Sequence, residues 1–273
     1  MPQAGGRRKS FPEAVSDGAS DLRAAWSRRR TALYFAWTDT VARYRRSVLG
    51  PLWLVLGTAV GVVGLGLVWS VLLEMPIQRF VPMLTVSLIT WQFISGTITE
   101  ASGVFQRNAG TLTSIYAPRF SFSSELLLRQ LVTLAHNAIV IAVVWIVIPY
   151  HWSWTMLLAL PALLLVVGNL LAMAQVIGFV GARYRDVEPL VAAVMPMLFF
   201  LTPVLYESRQ LGPLRKVMLF NPLAHWISVV RDPMMGDVPS LLSYAVVIGT
   251  GIVLWVIALW ITGAKGARLP YWV

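Results

Sequence analysis

Apolar positions along this chain fall into solid blocks, and polar residues gather in the short stretches between them. The first block follows Arg43-Tyr44-Arg45-Arg46 and a Gly50-Pro51 step, then runs to Leu73 without a charged residue. About 20 consecutive apolar residues cross the hydrocarbon of a bilayer as a helix. Blocks that meet or approach this length cover about 51–73, 82–103, 125–148, 155–182, 190–206 and 240–262. Membrane β-strands would instead alternate over segments of about ten residues. The pattern therefore predicts an all-α integral membrane protein with six transmembrane helices, each satisfying its own backbone groups in lipid.

The intervening segments differ from one another. Residues 1–31 are rich in Arg, Gly, Ser and Asp and read as a disordered cytoplasmic tail. Residues 32–48 carry one apolar stripe, Leu33, Trp37, Val41, Tyr44 and Val48, with Asp39, Arg43 and Arg46 largely off it. This predicts an amphipathic helix, lying in the inner interface or packed on the protein's own loops. Residues 104–124 form an inner loop with a short helical piece that ends at Ala117-Pro118-Arg119. Residues 183–189 read as an elbow of paired charges followed by Pro189. In 207–239, Leu214, Val217, Met218 and Phe220 are too apolar for a plain loop and too few for a crossing. They fit two short helices dipping into the outer leaflet, breaking at Asn221-Pro222 and Asp232-Pro233, or a compact outer loop on the surface. Residues 266–273 form a short basic tail.

Several residues inside the blocks are informative. Gly57, Gly61 and Gly64 lie close to one face of span one, with Gly66 nearby, where small residues admit another helix. Glu100 lies near the inner end of span two: an ionisable group at that depth marks function, unless water or Arg107 satisfies it. Glu125 and Arg129 form an i, i+4 pair. His136, with no metal partner at i+3 or i+4, suits an interhelical hydrogen bond. Asn169 and Gln175 are polar positions within span four, and Pro196 and Pro203 interrupt span five.

Composition agrees with the blocks. Hydrophobic residues make up 57% and charged residues only 12%, with mean hydropathy +0.70, against about 25% charged in soluble domains. The net charge of +10 reflects basic residues in the N-terminal region and inner loops. Positive-inside topology and attraction to anionic lipid explain that placement without nucleic acid. The outer side would hold only Arg79, Arg209, Arg215, Lys216 and Arg231. Both termini are then cytoplasmic. The absence of cysteine excludes disulfides, thiol nucleophiles and thiolate metal sites. No cleavable signal peptide is expected, because the first block starts near residue 51.

Motifs for chemistry are missing. There is no G-x-x-x-x-G-K-[ST] phosphate loop, no H-E-x-x-H and no G-x-S-x-G. His136, His151 and His225 are far apart, so no metal site is expected. The chain reads as a membrane protein with no energy source of its own and with inner segments suited to docking one.

The segment Arg43-Tyr44-Arg45-Arg46-Ser47-Val48-Leu49-Gly50-Pro51-Leu52-Trp53 closely resembles the signature that opens type-2 ABC exporter permeases, specifically those exporting O-antigen, capsule and teichoic acid. Pro118-Arg119, then Ala182-Arg183-Tyr184-Arg185-Asp186-Val187, then Phe200-Leu201-Thr202-Pro203-Val204-Leu205-Tyr206 with Phe220-Asn221-Pro222-Leu223, match in the same order. The resemblance covers roughly 32–265. It implies a homodimer that binds two copies of a separate ATPase subunit, which holds ATP and Mg. This chain itself carries no cofactor and is not an enzyme. The short helix within 105–117 resembles the coupling helix of that family, so Phe105, Gln106, Arg107, Asn108, Thr111, Leu112, Ile115, Tyr116 and Pro118 become the candidate coupling loop. Residues 32–48 resemble its gate helix, and the pieces around 208–236 its re-entrant outer helices.

The implied cargo is a glycan on an undecaprenyl-type lipid in a bacterial plasma membrane. Arg43, Arg45 and Arg46, beside Trp37 and Tyr44, are candidates to meet the carrier pyrophosphate, since guanidinium forks match phosphate oxygens. Topology alone would explain the same three arginines. Aromatic faces stack on sugar rings, which makes Trp53, Trp69, Trp91, Phe93, Phe199 and Tyr206 candidate channel lining. Lipid contact or helix packing would explain the same rings. A permease for a smaller drug or lipid cargo is the alternative, and an ATP-independent transporter a further one.

Overall fold

The computed structural model describes residues 9–44, 50, 52–148, 153–206 and 215–273. Arg45, Arg46, Val48, the 149–152 turn and the Gly212-Pro213 step lie outside the described residues, as do the side chains of Arg43, Tyr44 and Val217. Every regular element described is helical: α1 Phe11–Ser27, α2 Arg29–Tyr44, α3 Leu52–Leu72, α4 Ile77–Ser102, α5 Val104–Arg107, α6 Ala109–Ser114 and α7 Arg119–Val147. A 3-10 turn, Trp154–Leu158, leads into α8 Ala159–Arg183. Then come α9 Val187–Leu201, α10 Arg215–Met218, α11 Pro222–Met234, α12 Leu241–Lys265 and a closing 3-10 turn, Gly266–Tyr271.

Among the described residues, five helices are long and apolar enough to cross a membrane: Leu52–Leu72, Ile77–Ser102, Arg119–Val147, Trp154–Arg183 and Leu241–Tyr271. The fifth predicted block yields only α9, 15 residues long. Pro196 sits inside α9, whereas Pro203, expected inside the span, lies beyond its end. Thr202 is extended at φ −109°, ψ 138°, as the residue before a proline prefers. Span three begins earlier than predicted, because Arg119 to Ser124 continue α7 downward from Pro118.

Burial places α4 at the centre. It packs against α3, α7, α8, α9 and α11, and 78% of its most apolar window is buried, against 22% for α3. The helix α3 shows the inverted polarity of a lipid-facing span. Val60, Val63, Leu67, Val68 and Val71 are exposed, while Thr58, Val62, Gly66 and Ser70 face the protein. Without water, packing and hydrogen bonds hold such helices together, so small and polar residues turn inward. Gly66 is the tight position, where a Cβ would meet Val81 at 3.0 Å. The expected face of Gly57, Gly61 and Gly64 is not the packed one: Gly57 and Gly64 have nothing within 4 Å.

The terminal segments depart from expectation. Far from being disordered throughout, residues 11–27 form α1, which lies on α12. A Cβ on Gly18 would sit 2.0 Å from the Leu259 carbonyl oxygen, and one on Gly263 1.9 Å from that of Ala14. Only glycine allows backbones this close. The tail 266–273 is also packed: Leu269 is fully buried among Phe105, Leu112 and Phe179.

The segment after α9 changes as well. The break at Asn221-Pro222 is present, with Asn221 Oδ1 accepting from the Leu223 amide at 3.0 Å. Pro233 instead lies within the last turn of α11, which runs to Met234 before Gly236 turns at φ 86°. Trp226, Ile227 and Val229 are fully buried. The helix α11 is therefore an integral part of the core against α4, α8 and α12, and does not lie on the surface.

Candidate functional site: a polar stripe and a docking platform

The candidate aromatic residues divide among three places. Trp91 of α4 and Phe199 of α9 come together with ring centroids 5.8 Å apart. They line a groove of about 620 Å³ between these two helices. Trp53 and Phe93 line a second groove of about 360 Å³ between α3, α4 and α7. Trp69 and Tyr206 lie in neither: they pack around Phe80, Met83 and Leu84, and the Tyr206 hydroxyl donates to the Phe200 carbonyl at 2.9 Å.

The α4–α9 groove has two chemical faces. The α9 side is apolar, with Ala192, Met195, Pro196, Phe199 and Phe200. The α4 side presents Gln92, Ser95, Gly96, Thr99 and Glu100, all half-buried. Their spacing of i, i+3, i+4, i+7 and i+8 makes one continuous helical stripe. Polar groups on a central span face a cavity or a partner rather than lipid. The sequence carries this periodicity openly, in polar residues that the aromatic pattern does not mark.

Gln92 also closes the second groove. Thr58 Oγ1 lies 3.1 Å from Gln92 Oε1 and 3.1 Å from Asn137 Oδ1, and Asn137 Nδ2 donates to Gln92 at 3.4 Å. This triad joins α3, α4 and α7 at their middle. A second buried network joins α7, α8 and α12: Ser123 Oγ donates to Gln175 Oε1 at 2.5 Å, and Gln175 Nε2 donates to Thr262 at 3.0 Å. Asn169 donates to the Val247 carbonyl at 2.9 Å. His136 bonds the Val132 carbonyl of its own helix at 2.7 Å, not a neighbouring helix.

The candidate coupling loop is a small platform, α5 and α6. Its hydrophobic residues anchor it. Phe105 is fully buried, 6.1 Å from Phe122 and 5.2 Å from Phe179 by ring centroids. Leu112 packs in the same cluster, and Pro118 is buried at the start of α7. Gln106 donates to the Gly181 carbonyl at 2.5 Å and Asn108 to the Val104 carbonyl at 2.8 Å. Arg107 pairs with Glu188 at 3.0 Å and donates to the Glu100 backbone carbonyl. Outward-facing, beside the exposed Arg107, are Thr111, Ile115, 62% exposed, and Tyr116, 76% exposed. The Glu100 carboxylate is not capped by Arg107. It lies 3.5 Å from Arg129.

The amphipathic α2 turns its small face, Ala32 and Ala36, to the protein and packs on α7. Leu33, Trp37 and Val41 are exposed, so the apolar stripe faces away from the body, as an interfacial helix requires. Arg43 and Tyr44 sit in its last turn, and Arg45 and Arg46 follow beyond the described residues. Among the described residues no cluster of His, Asp and Glu could hold a metal ion.

The chain is 24% identical over 227 residues to an O-antigen export system permease protein of Klebsiella pneumoniae, covering 81% of this chain and 86% of that protein. A protein of the same name from Myxococcus xanthus is 23% identical over 221 residues, covering 78% of this chain and 84% of that protein. The family model for the ABC-2 type transporter membrane domain matches residues 32–235. A domain of this family works with a separate ATPase subunit, and its relatives here are permeases rather than enzymes. The chain is a multi-pass membrane permease and belongs to the ABC-2 type transporter family.

Proposed function

We propose that this chain is the channel-forming subunit of an ATP-driven exporter of lipid-linked polysaccharide. It works as a homodimer with two copies of a nucleotide-binding partner in a bacterial plasma membrane. In this reading α9 and the residues that follow it make a sixth crossing, and both termini face the cytoplasm. A 15-residue helix rises about 22 Å, so in this reading the turn residues 202–206 complete the passage.

The observation that carries the reading is the two-faced groove beside α4. A glycan offers hydroxyl groups at its ring edges and C–H surfaces at its ring faces. Gln92, Ser95 and Thr99 suit the first, and the Trp91–Phe199 pair suits the second. No net charge of the cargo is needed. The names of the relatives support the same cargo class, and the outward Ile115 and Tyr116 suit contact with the ATPase.

Reconstitution of the chain with its ATPase in proteoliposomes tests the proposal. Lipid-linked glycan should stimulate ATP hydrolysis and appear on the far side. The apolar α9 wall would also accept a smaller amphipathic cargo. Stimulation by drugs or free lipid, with no response to the glycan, would establish that second reading instead.

A further inference from the structure

We propose that Asp21 is a positioning residue for the coupling loop: α1 caps α7 from a distance and holds the exposed Tyr116 ring through Arg119. The inference rests on reading residues 105–118 as the segment that meets the ATPase. The helix α1 precedes residue 32, where the match to the family begins.

A helix leaves its first amides without partners, and a side-chain oxygen normally supplies one. The residue before α7 is Pro118, which has no such oxygen. Asp21, 98 residues before Arg119, replaces it. Its Oδ1 accepts from the Arg119 amide at 3.1 Å and its Oδ2 from the Phe120 amide at 3.0 Å. The Arg119 guanidinium lies 3.5 Å from the same carboxylate, whose side chain is 9% exposed. A carboxylate also suits the positive end of the α7 dipole. The guanidinium in turn donates to the Gly266 carbonyl at 3.3 Å and lies 5.1 Å from the centroid of the Tyr116 ring. One chain of contacts therefore runs from α1 to the outward ring of the loop.

The other side of α1 is fixed independently. The backbone approaches at Gly18 and Gly263 seat it on α12. Asp21 thereby ties the loop to the last membrane helix. A loop that moves relative to α12 must either break these bonds or drag α1 with it.

Spin-label distances in the full chain test this, because the native sequence has no cysteine. Labels at the exposed positions Arg23 and Thr113 report the loop, and labels at Arg23 and Ile257 report the seat of α1. Asp21→Asn keeps the side-chain size but loses the charge and one acceptor. The Arg23–Ile257 distance should hold. The Arg23–Thr113 distribution should broaden, with its displaced population rising about fivefold, the size of a lost helix cap. In the complex with the ATPase, ATP hydrolysis should persist while glycan moved per ATP falls. An unchanged Arg23–Thr113 distribution would overturn the proposal. So would equal broadening of both distances, since Asp21 would then anchor α1 and not the loop. Absence of glycan export by the wild-type complex would remove the export reading, and the label distances would still decide the role of Asp21.

Discussion

The Asp39 carboxylate of α2 lies 2.9 Å from the Arg129 guanidinium of α7, and that single cation also meets Glu100 at 3.5 Å and Glu125 at 3.7 Å. Three acids from three helices converge on one base that is 20% exposed. The partners are unequal, because the Asp39 side chain is 50% exposed and water can replace its bond. Asp39→Asn should cost at most about 1 kcal/mol, as exposed pairs do, while freeing α2 from α7. Arg129→Met leaves three carboxylates without their cation and should cost about 3–5 kcal/mol. Thermal unfolding in detergent at two salt concentrations checks the order. Equal losses for the two variants would contradict it.

Close helix approach makes a second prediction. A Cβ at Gly181 would meet the Ser102 carbonyl oxygen at 1.9 Å, and that atom is backbone. Gly181→Ala must therefore push α8 away from the end of α4, beside α5. The expected loss is about 1–3 kcal/mol or more. Gly57→Ala, with open space around it, should leave stability unchanged or slightly raised, since alanine favours helix. Melting temperatures of the two variants separate a packed glycine from an unpacked one.

These glycines also show how far the sequence could be read. Gly57, Gly61 and Gly64 make a tidy stripe on paper, but the packed glycine of α3 is Gly66, and the closest backbone approaches lie at Gly18, Gly181 and Gly263. Hydropathy locates a helix in lipid and says little about which way it is rotated, because lipid and protein are equally apolar partners. The long blocks were legible for the opposite reason: length and the absence of charge alone decide them. Trp91 and Phe199 were singled out by residue type, and the structure pairs them. Trp69 and Tyr206 were singled out on the same ground and pack elsewhere. The helix α1 is hard to read from the sequence because its composition is polar. Its signals were local: Ser10 followed by Glu13, with Pro12 in the first turn, and the small stripe Ala14, Gly18 and Ala25.

The same cap sets a dependence on pH. The Glu13 carboxylate accepts from the Ser10 backbone amide at 2.8 Å, and this bond holds its carboxyl below the usual value of 4.5. A group with a depressed folded pKa stabilises the fold above its unfolded value and loses that contribution as pH falls through the folded one. The start of α1 should therefore loosen below about pH 4.5 in the wild type. Glu13→Gln removes that titration. Amide exchange over residues 11–27, corrected for intrinsic rates, should show a pH-dependent difference between the two proteins in this window. Parallel profiles would contradict the role given to Glu13.

The groove beside α4 permits the most direct test of cargo contact. Thr99→Val keeps the side-chain shape and removes one hydroxyl from the polar stripe. Thr99 is half-buried in the groove wall, so the substitution should leave melting nearly unchanged. Losing one net hydrogen bond of about 1 kcal/mol to a sugar should slow export of lipid-linked glycan about fivefold. Phe199→Leu removes the ring that meets Trp91 while keeping an apolar wall, and stacking of this kind is worth about 0.5–1.5 kcal/mol. The two variants should lower export by similar factors when assayed with an intact ATPase, and should leave ATP hydrolysis in the absence of glycan unchanged. Full export by both, with purified complexes of normal stability, would mean that the cargo passes elsewhere.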